Sequence, residues 1–179
     1  MELSMSRETL TNIVEMNESF LSDGFFIVLF HANKIPPHLG LIASSKYFSL
    51  TATETQIGID IEPIWRVIRS KSIETIFIQI DYNPNMKHLS VIFDAYENVV
   101  EREFTCLQPI KEFFEKECLL NVDEVNFVFD LIKKLKEKEM IMQSFHLNMG
   151  NHINEGDFQL QEYTLDDIYK RISAIQRTC

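Results

Sequence analysis

Glycine is scarce in this chain: there are five in 179 residues, scattered at positions 24, 40, 58, 150 and 156. No Gly-rich loop able to cradle phosphates can be built from that spacing, which excludes a P-loop nucleotide site. Cysteine is sparser still. Cys106, Cys118 and Cys179 form an odd set of three, with neither a paired framework nor a CxxC knuckle, so they read as reduced thiols. Cations are also in deficit, 17 Lys and Arg against 27 Asp and Glu, for a formal charge of −10. Binding to nucleic-acid phosphates depends on clustered Lys and Arg, and the longest basic run, Lys133-Lys134-Leu135-Lys136, is broken up by Glu137 and Glu139. It reads as a solvated helix face, and no nucleic-acid partner is expected.

Long apolar runs are missing too. Phe25 to Phe30 is of strand length, far below the roughly 18 apolar residues that span a bilayer, so no membrane span is expected. Met1 to Phe20 mixes Glu, Asn, Ser and Thr with apolar residues and lacks the basic start and apolar block of a secretory signal. Cytoplasmic residence is therefore the expectation. No HxH, HExxH or CxxC spacing occurs, and neither a metal nor a cofactor is expected.

With 45% hydrophobic residues, the chain can bury a sizeable core as one domain over residues 1–179. Residues 7–21 carry Leu10, Ile13, Val14, Phe20 and Leu21 among polar residues and predict an amphipathic N-terminal helix. Phe25 to Phe30 is a continuous apolar run after a turn signal, the pattern of a central strand buried on both faces. His38 to Ile42 and Lys46 to Thr51 read as a hairpin, and Ile73 to Ile80 as a further strand. Helices are predicted from Pro63, over Met86 to Val100, after Cys106, over 123–139 and after Thr164. Ile141 to Leu147 reads as an edge strand. The sheet and helix core thus spans 23–147, and 148–179 forms a C-terminal extension whose polar stretch, Asn148 to Gln161, is expected to be irregular. Strands and helices follow in mixed, non-repeating order, so the expected class is α+β, a central mostly antiparallel sheet flanked by helices.

The chemistry-bearing residue is Cys106. In Thr105-Cys106-Leu107-Gln108-Pro109, Thr105 is placed to cap a helix and Gln108 to complete the capping box, leaving Cys106 in a first turn whose free amides favour a thiolate. The competing reading is a cysteine buried as a small hydrophobe. Glu101, Glu103 and Glu112 oppose a thiolate, with Arg102 and Lys111 in partial compensation. Of the five histidines, His38 is the one that begins a strand at a sheet end, with Gly40 leaving room beside it. It is the natural general base for Cys106.

The run Phe25 to Phe30, then His38-Leu39-Gly40-Leu41-Ile42, then Lys46-Tyr47-Phe48 resembles the strand-loop-strand hairpin of NlpC-type papain-like proteins, where a histidine begins a His-apolar-Gly-apolar strand. The order His38 before Cys106, with the cysteine starting a helix, is similar to the circularly permuted branch that includes relatives of lecithin:retinol acyltransferase. The resemblance covers residues 23 to 116, about half the chain. It implies a permuted papain-like arrangement and a cysteine hydrolase or acyltransferase acting on an amide or ester of a small peptide, lipid or cell-wall fragment. With a one-residue deletion in the hairpin turn, the third polar residue of that group, often histidine, falls on Ser49. The residues after Cys106, Leu107-Gln108-Pro109, depart from the small or acidic ones common there. The alternative is an inactive papain-like fold serving as an acidic module for a protein partner, anchored by aromatics such as Trp65, Tyr82 or Tyr163.

Overall fold

The computed structural model describes residues 7–178. In chain order the strands are β1 (Thr9–Leu10), β2 (Val14–Glu15), β3 (Phe25–Phe30), β4 (His38–Ala43), β5 (Lys46–Leu50), β6 (Thr55–Asp60), β7 (Thr75–Ile80), β8 (Ile141–Leu147) and β9 (Phe158–Gln159). The helices are α1 (Ile61–Ser70), α2 (Met86–Asp94), α3 (Gln108–Cys118), α4 (Val128–Glu137) and α5 (Leu165–Gln176), with a 3-10 turn at Glu18–Leu21.

β3 organises the fold because every one of its residues is buried. Successive side chains point to opposite faces. Phe26, Val28 and Phe30 enter one core layer with Ile42, Tyr47, Trp65, Ile68 and Phe77, while Phe25, Ile27 and Leu29 enter the other with residues of α2, α3 and α4. Complete burial of such a side chain contributes about 1.5–3 kcal/mol, so exposing either face of β3 would be costly. The strand accordingly sits in the middle of a seven-stranded sheet ordered β2-β8-β7-β3-β4-β5-β6. All its pairings are antiparallel except β2 with β8. The molecule is a single α+β domain with helices on both faces of this sheet.

The β4–β5 hairpin forms as expected, with Leu41 opposite Phe48 and Ile42 opposite Tyr47. Pro63 lies in the first turn of α1, where its missing N–H costs nothing, and Ile61, Trp65 and Ile68 form the buried stripe. Thr164 caps α5: its Oγ1 accepts from the Asp167 amide, and Asp167 Oδ2 accepts from the Thr164 amide at 2.8 Å.

Four expectations need correction. Residues 7–21 form no amphipathic helix. Asn12 has φ 53°, and the segment gives its amides to sheet edges, Ile13 to Gly156 O at 2.7 Å and Met16 to His146 O at 2.8 Å. Its three-residue apolar spacing serves an irregular edge that still buries Leu10, Ile13 and Met16. Consequently β8 is not the edge: β2 lies outside it. The helix predicted to Val100 stops at Asp94, because the Val99 amide bonds Thr51 O at 2.8 Å and Thr55 Oγ1 donates to the carbonyls of Tyr96 and Glu97. The tail 148–161 is not wholly irregular, since β9 pairs with β1. In addition, β6 extends the sheet beyond the expected hairpin.

Gly40 is required by packing. A Cβ there would lie 2.5 Å from Tyr47 Cε2 and 2.8 Å from its Oη, and Tyr47 is itself only 3% exposed. Gly40→Ala should lower stability by about 1–3 kcal/mol, read as a reduced urea midpoint at unchanged slope. Gly150→Ala, where a Cβ meets nothing within 4 Å, is the control, and equal midpoints for the two variants would refute the packing account.

Candidate active site

The end of the sheet where β3 and β5 finish and β4 begins carries the polar residues singled out above. Phe30 pairs with His38 at this end, and their rings stack at 6.0 Å with an interplanar angle of 24°. Strand alternation puts Ser49 on the same face as Tyr47, within reach of the imidazole. His38 Nε2 lies 2.7 Å from Ser49 Oγ, and Ser49 Oγ donates to Leu39 O at 3.3 Å. The direction of the 2.7 Å bond follows the imidazole tautomer: with Nε2 protonated, His38 donates to Ser49 and Nδ1 keeps its lone pair.

Cys106 lies in a turn ahead of α3, not in its first helical turn. Thr105 Oγ1 accepts from the Leu107 amide at 3.3 Å, and the Gln108 amide bonds the Thr105 carbonyl. The expected capping box is therefore not formed. Pro109 explains the shift: lacking an N–H, it fits the opening of the helix, leaving Cys106 two residues upstream. The Leu39 and Cys106 backbone amides act on the sulfur. Cys106 packs with the core layer of Leu39, whereas the His38 ring stacks on Phe30 of the layer on the other face of the sheet. Among the described residues no hydrogen bond joins thiol to imidazole.

His38, Cys106, Tyr47 and Tyr163 all line one cavity of about 540 Å³ at this sheet end. Its walls are largely apolar, with Ile64, Val67 and Ile68 from α1 and Ile168, Ile172 and Ile175 from α5. The C-terminal extension thus forms a wall of the site. Hydrogen bonds seat it: Gln176 Nε2 donates to Ala52 O and Val99 O, and Ser173 Oγ to Glu101. Tyr163, 8% exposed, accepts from the Val128 amide at the start of α4.

Burial dominates the electrostatics. It holds His38 down to about 4, helped by neighbouring His31. Burial also pushes the Cys106 thiol up, and the two backbone amides only partly oppose this. The resting pair is neutral thiol and neutral imidazole, in place of the thiolate expected from a helix start. The acidic neighbours in sequence are engaged elsewhere: Glu112 bonds Tyr96 Oη at 2.6 Å and pairs with Lys116, and Glu101 bonds Ser173. Cys118 ends α3, where burial and Glu117 raise it to about 12. Cys179 lies outside the described residues.

Of the aromatic anchors expected of an interaction module, Trp65 and Tyr163 are buried, while Tyr82 is half-buried, leaning on Phe25 and Phe113 with its hydroxyl donating to Glu117 O. Sequence reasoning gave Tyr47 only as a hairpin position and Tyr163 only as an interaction anchor, and it missed Lys34 and Arg171, which lie far apart in the chain and carry no motif. Among the described residues no three His, Cys, Asp or Glu side chains converge as a metal-binding group, and no helix is long and apolar enough to cross a membrane. Comparison with protein-family models, curated proteins and solved structures gives no match.

The depressed His38 has a measurable cost. In an unfolded chain its imidazole titrates near 6.5 and in the fold at about 4, so the unfolded state binds more protons between these values. Stability due to His38 is complete above about pH 6.5 and is lost as pH falls toward 4, by roughly 3 kcal/mol at most. In His38→Gln, which keeps a side-chain N–H donor for Ser49, the drop in melting temperature from pH 7 to pH 4.5 should shrink by several degrees. His31 and His146, also lowered by burial, are present in both proteins and cancel. An unchanged drop would show that His38 is free to protonate in the fold.

Proposed function

We propose that this chain is a cysteine hydrolase or acyltransferase acting on an amide or ester, with Cys106 as nucleophile, His38 as general base and Ser49 as the residue that orients it. The observation that carries the reading is the Ser49–His38 Nε2 contact at 2.7 Å on an imidazole that shares a cavity with the Cys106 thiol. Both side chains open onto one cavity large enough for a substrate. The order of apolar strand, histidine strand and partner strand ahead of the cysteine resembles that of the permuted papain-like group and supports the same reading, with the difference that Cys106 lies in the turn before its helix.

Because the resting pair is neutral, the thiol proton moves to His38 Nδ1 as sulfur attacks the carbonyl carbon. The forming imidazolium keeps an Nε2–H bond to Ser49, and the negative charge of the tetrahedral adduct passes to the carbonyl oxygen, for which backbone amides near the start of α3 are the donors. The S–C bond forms, the C–O or C–N bond breaks, and His38 returns the proton to the leaving group. Water or an acceptor alcohol or amine then releases the acyl group. Ser49 cannot offset the imidazolium charge as a carboxylate would, so it acts by orientation.

A p-nitrophenyl ester tests this with two readouts, release of nitrophenolate and the intact mass of the acyl-enzyme. Cys106→Ala should lose both, while Cys118→Ala should behave as the parent. His38→Gln should lower kcat by about 10²–10⁴. Ser49→Ala should lower kcat with little change in KM and move the pH profile of kcat, because the imidazole loses its hydrogen-bond partner at Nε2. Acylation that persists in Cys106→Ala, or a Cys106 that iodoacetamide reaches only after unfolding, would sink the proposal.

A further inference from the structure

The chain carries 27 acidic residues and a formal charge of −10, yet no aspartate or glutamate lines the cavity among the described residues. The charged side chains in its wall are Lys34, from the loop before β4, and Arg171, from α5. Both are exposed at the rim, and neither forms an ion pair among the described residues. His31 stands with them, close enough for both cations to act on its ring, with Glu74 as the opposing charge behind it. The Nδ1 atom of His31 is buried and has no hydrogen-bond partner, and the same holds for Oδ1 of neighbouring Asn33. Unsatisfied buried polar atoms are uncommon in native proteins, and two occur together beside this rim.

Two cations kept free of carboxylates, in a strongly acidic protein, form an electrostatic entrance for an anion. Beyond it the walls are hydrocarbon: Ile64, Ile68, Ile168, Ile172 and Phe30. The geometry points to a single-chain anionic amphiphile as the ligand of this cavity, its carboxylate or phosphate held at the rim by Lys34 and Arg171 and its apolar tail inside. This deepens the proposed function, and rests on it only in taking such an amphiphile, when its chain is joined to the anionic head through an ester or amide, to be the acyl substrate of Cys106. Because the two cations come from separate segments, a bound anion also ties α5 to the loop before β4.

Calorimetry on Cys106→Ala separates binding from chemistry. The probes, each below its micelle concentration, are dodecanoate, dodecyl phosphate, dodecanol, dodecyltrimethylammonium and inorganic phosphate. Dodecanoate and dodecyl phosphate should bind more tightly than dodecanol, and dodecyltrimethylammonium most weakly of the four dodecyl probes. Adding Lys34→Gln and Arg171→Gln should weaken the anionic probes by roughly two- to thirty-fold, the span two exposed ion pairs give, and leave dodecanol unchanged. Lys34→Arg with Arg171→Lys should restore the preference. Both positions are exposed, so these variants leave the core intact. Equal affinity for dodecanol and dodecanoate, or no effect of the double Gln variant, would overturn the inference. Inorganic phosphate binding as tightly as dodecyl phosphate would overturn it in favour of a plain phosphate site. Anionic-amphiphile binding without ester turnover by the parent would sink the enzyme reading and leave this one standing, and turnover without any preference for anions would do the reverse.

Discussion

Two-sided burial of Phe25–Phe30 is the constraint from which the rest of this structure follows. A strand with no exposed face needs a neighbour on each edge and a helical layer on each side. β4 and β7 supply the edges, while α1 covers one face and α2, α3 and α4 the other. Register then decides where the chemistry falls. Pairing of Phe30 with His38 sets the histidine at the sheet end, and a one-residue slip would turn its side chain to the other face. The same alternation sets Tyr47 and Ser49 on one face of β5. Gly40 leaves the space that the Tyr47 ring fills.

The site shows how desolvation can outweigh local dipoles. Free amides near a helix start lower a thiol pKa when the sulfur is solvated, but at Cys106 burial raises it despite two approaching N–H groups. Burial shifts the imidazole the opposite way, because in each case it disfavours the charged form. Thiol and imidazole are thus both uncharged at rest. Ser49 suits such a site. It is itself fully buried, and a neutral hydroxyl there avoids the cost of desolvating a carboxylate.

Recruitment of the C-terminal helix changes the character of the cavity. Ile168, Ile172 and Ile175 from α5 face Ile64, Val67 and Ile68 from α1 across it, so two segments about a hundred residues apart in sequence build one hydrocarbon wall. α5 brings Arg171 to the cavity that Lys34 also lines, and among the described residues no aspartate or glutamate lines it.

Much of the fold was legible in the residues. The apolar run of β3, the β4–β5 hairpin, Pro63 in the first turn of α1 and the Thr164–Asp167 cap each follow from local stereochemistry or period. So did the candidacy of His38 and Cys106, one at a strand start and the other near a helix start. The N-terminal segment was misread because apolar spacing of three and four residues fits a helix as well as an irregular strand, and only the open edges of β8 and β9 decide between them. The capping box failed for a related reason, as Pro109 and the descent of the chain from Val100 set the helix start. The sequence by itself determined which segments form the buried sheet and which side chains are chemically able to act as nucleophile or base, because these depend on residue type and short-range pattern. Only the tertiary structure decided that His38 and Cys106 line one cavity, that burial keeps both neutral, and that Lys34 and Arg171 line the same cavity, because proximity and desolvation arise from contacts between segments distant in the chain.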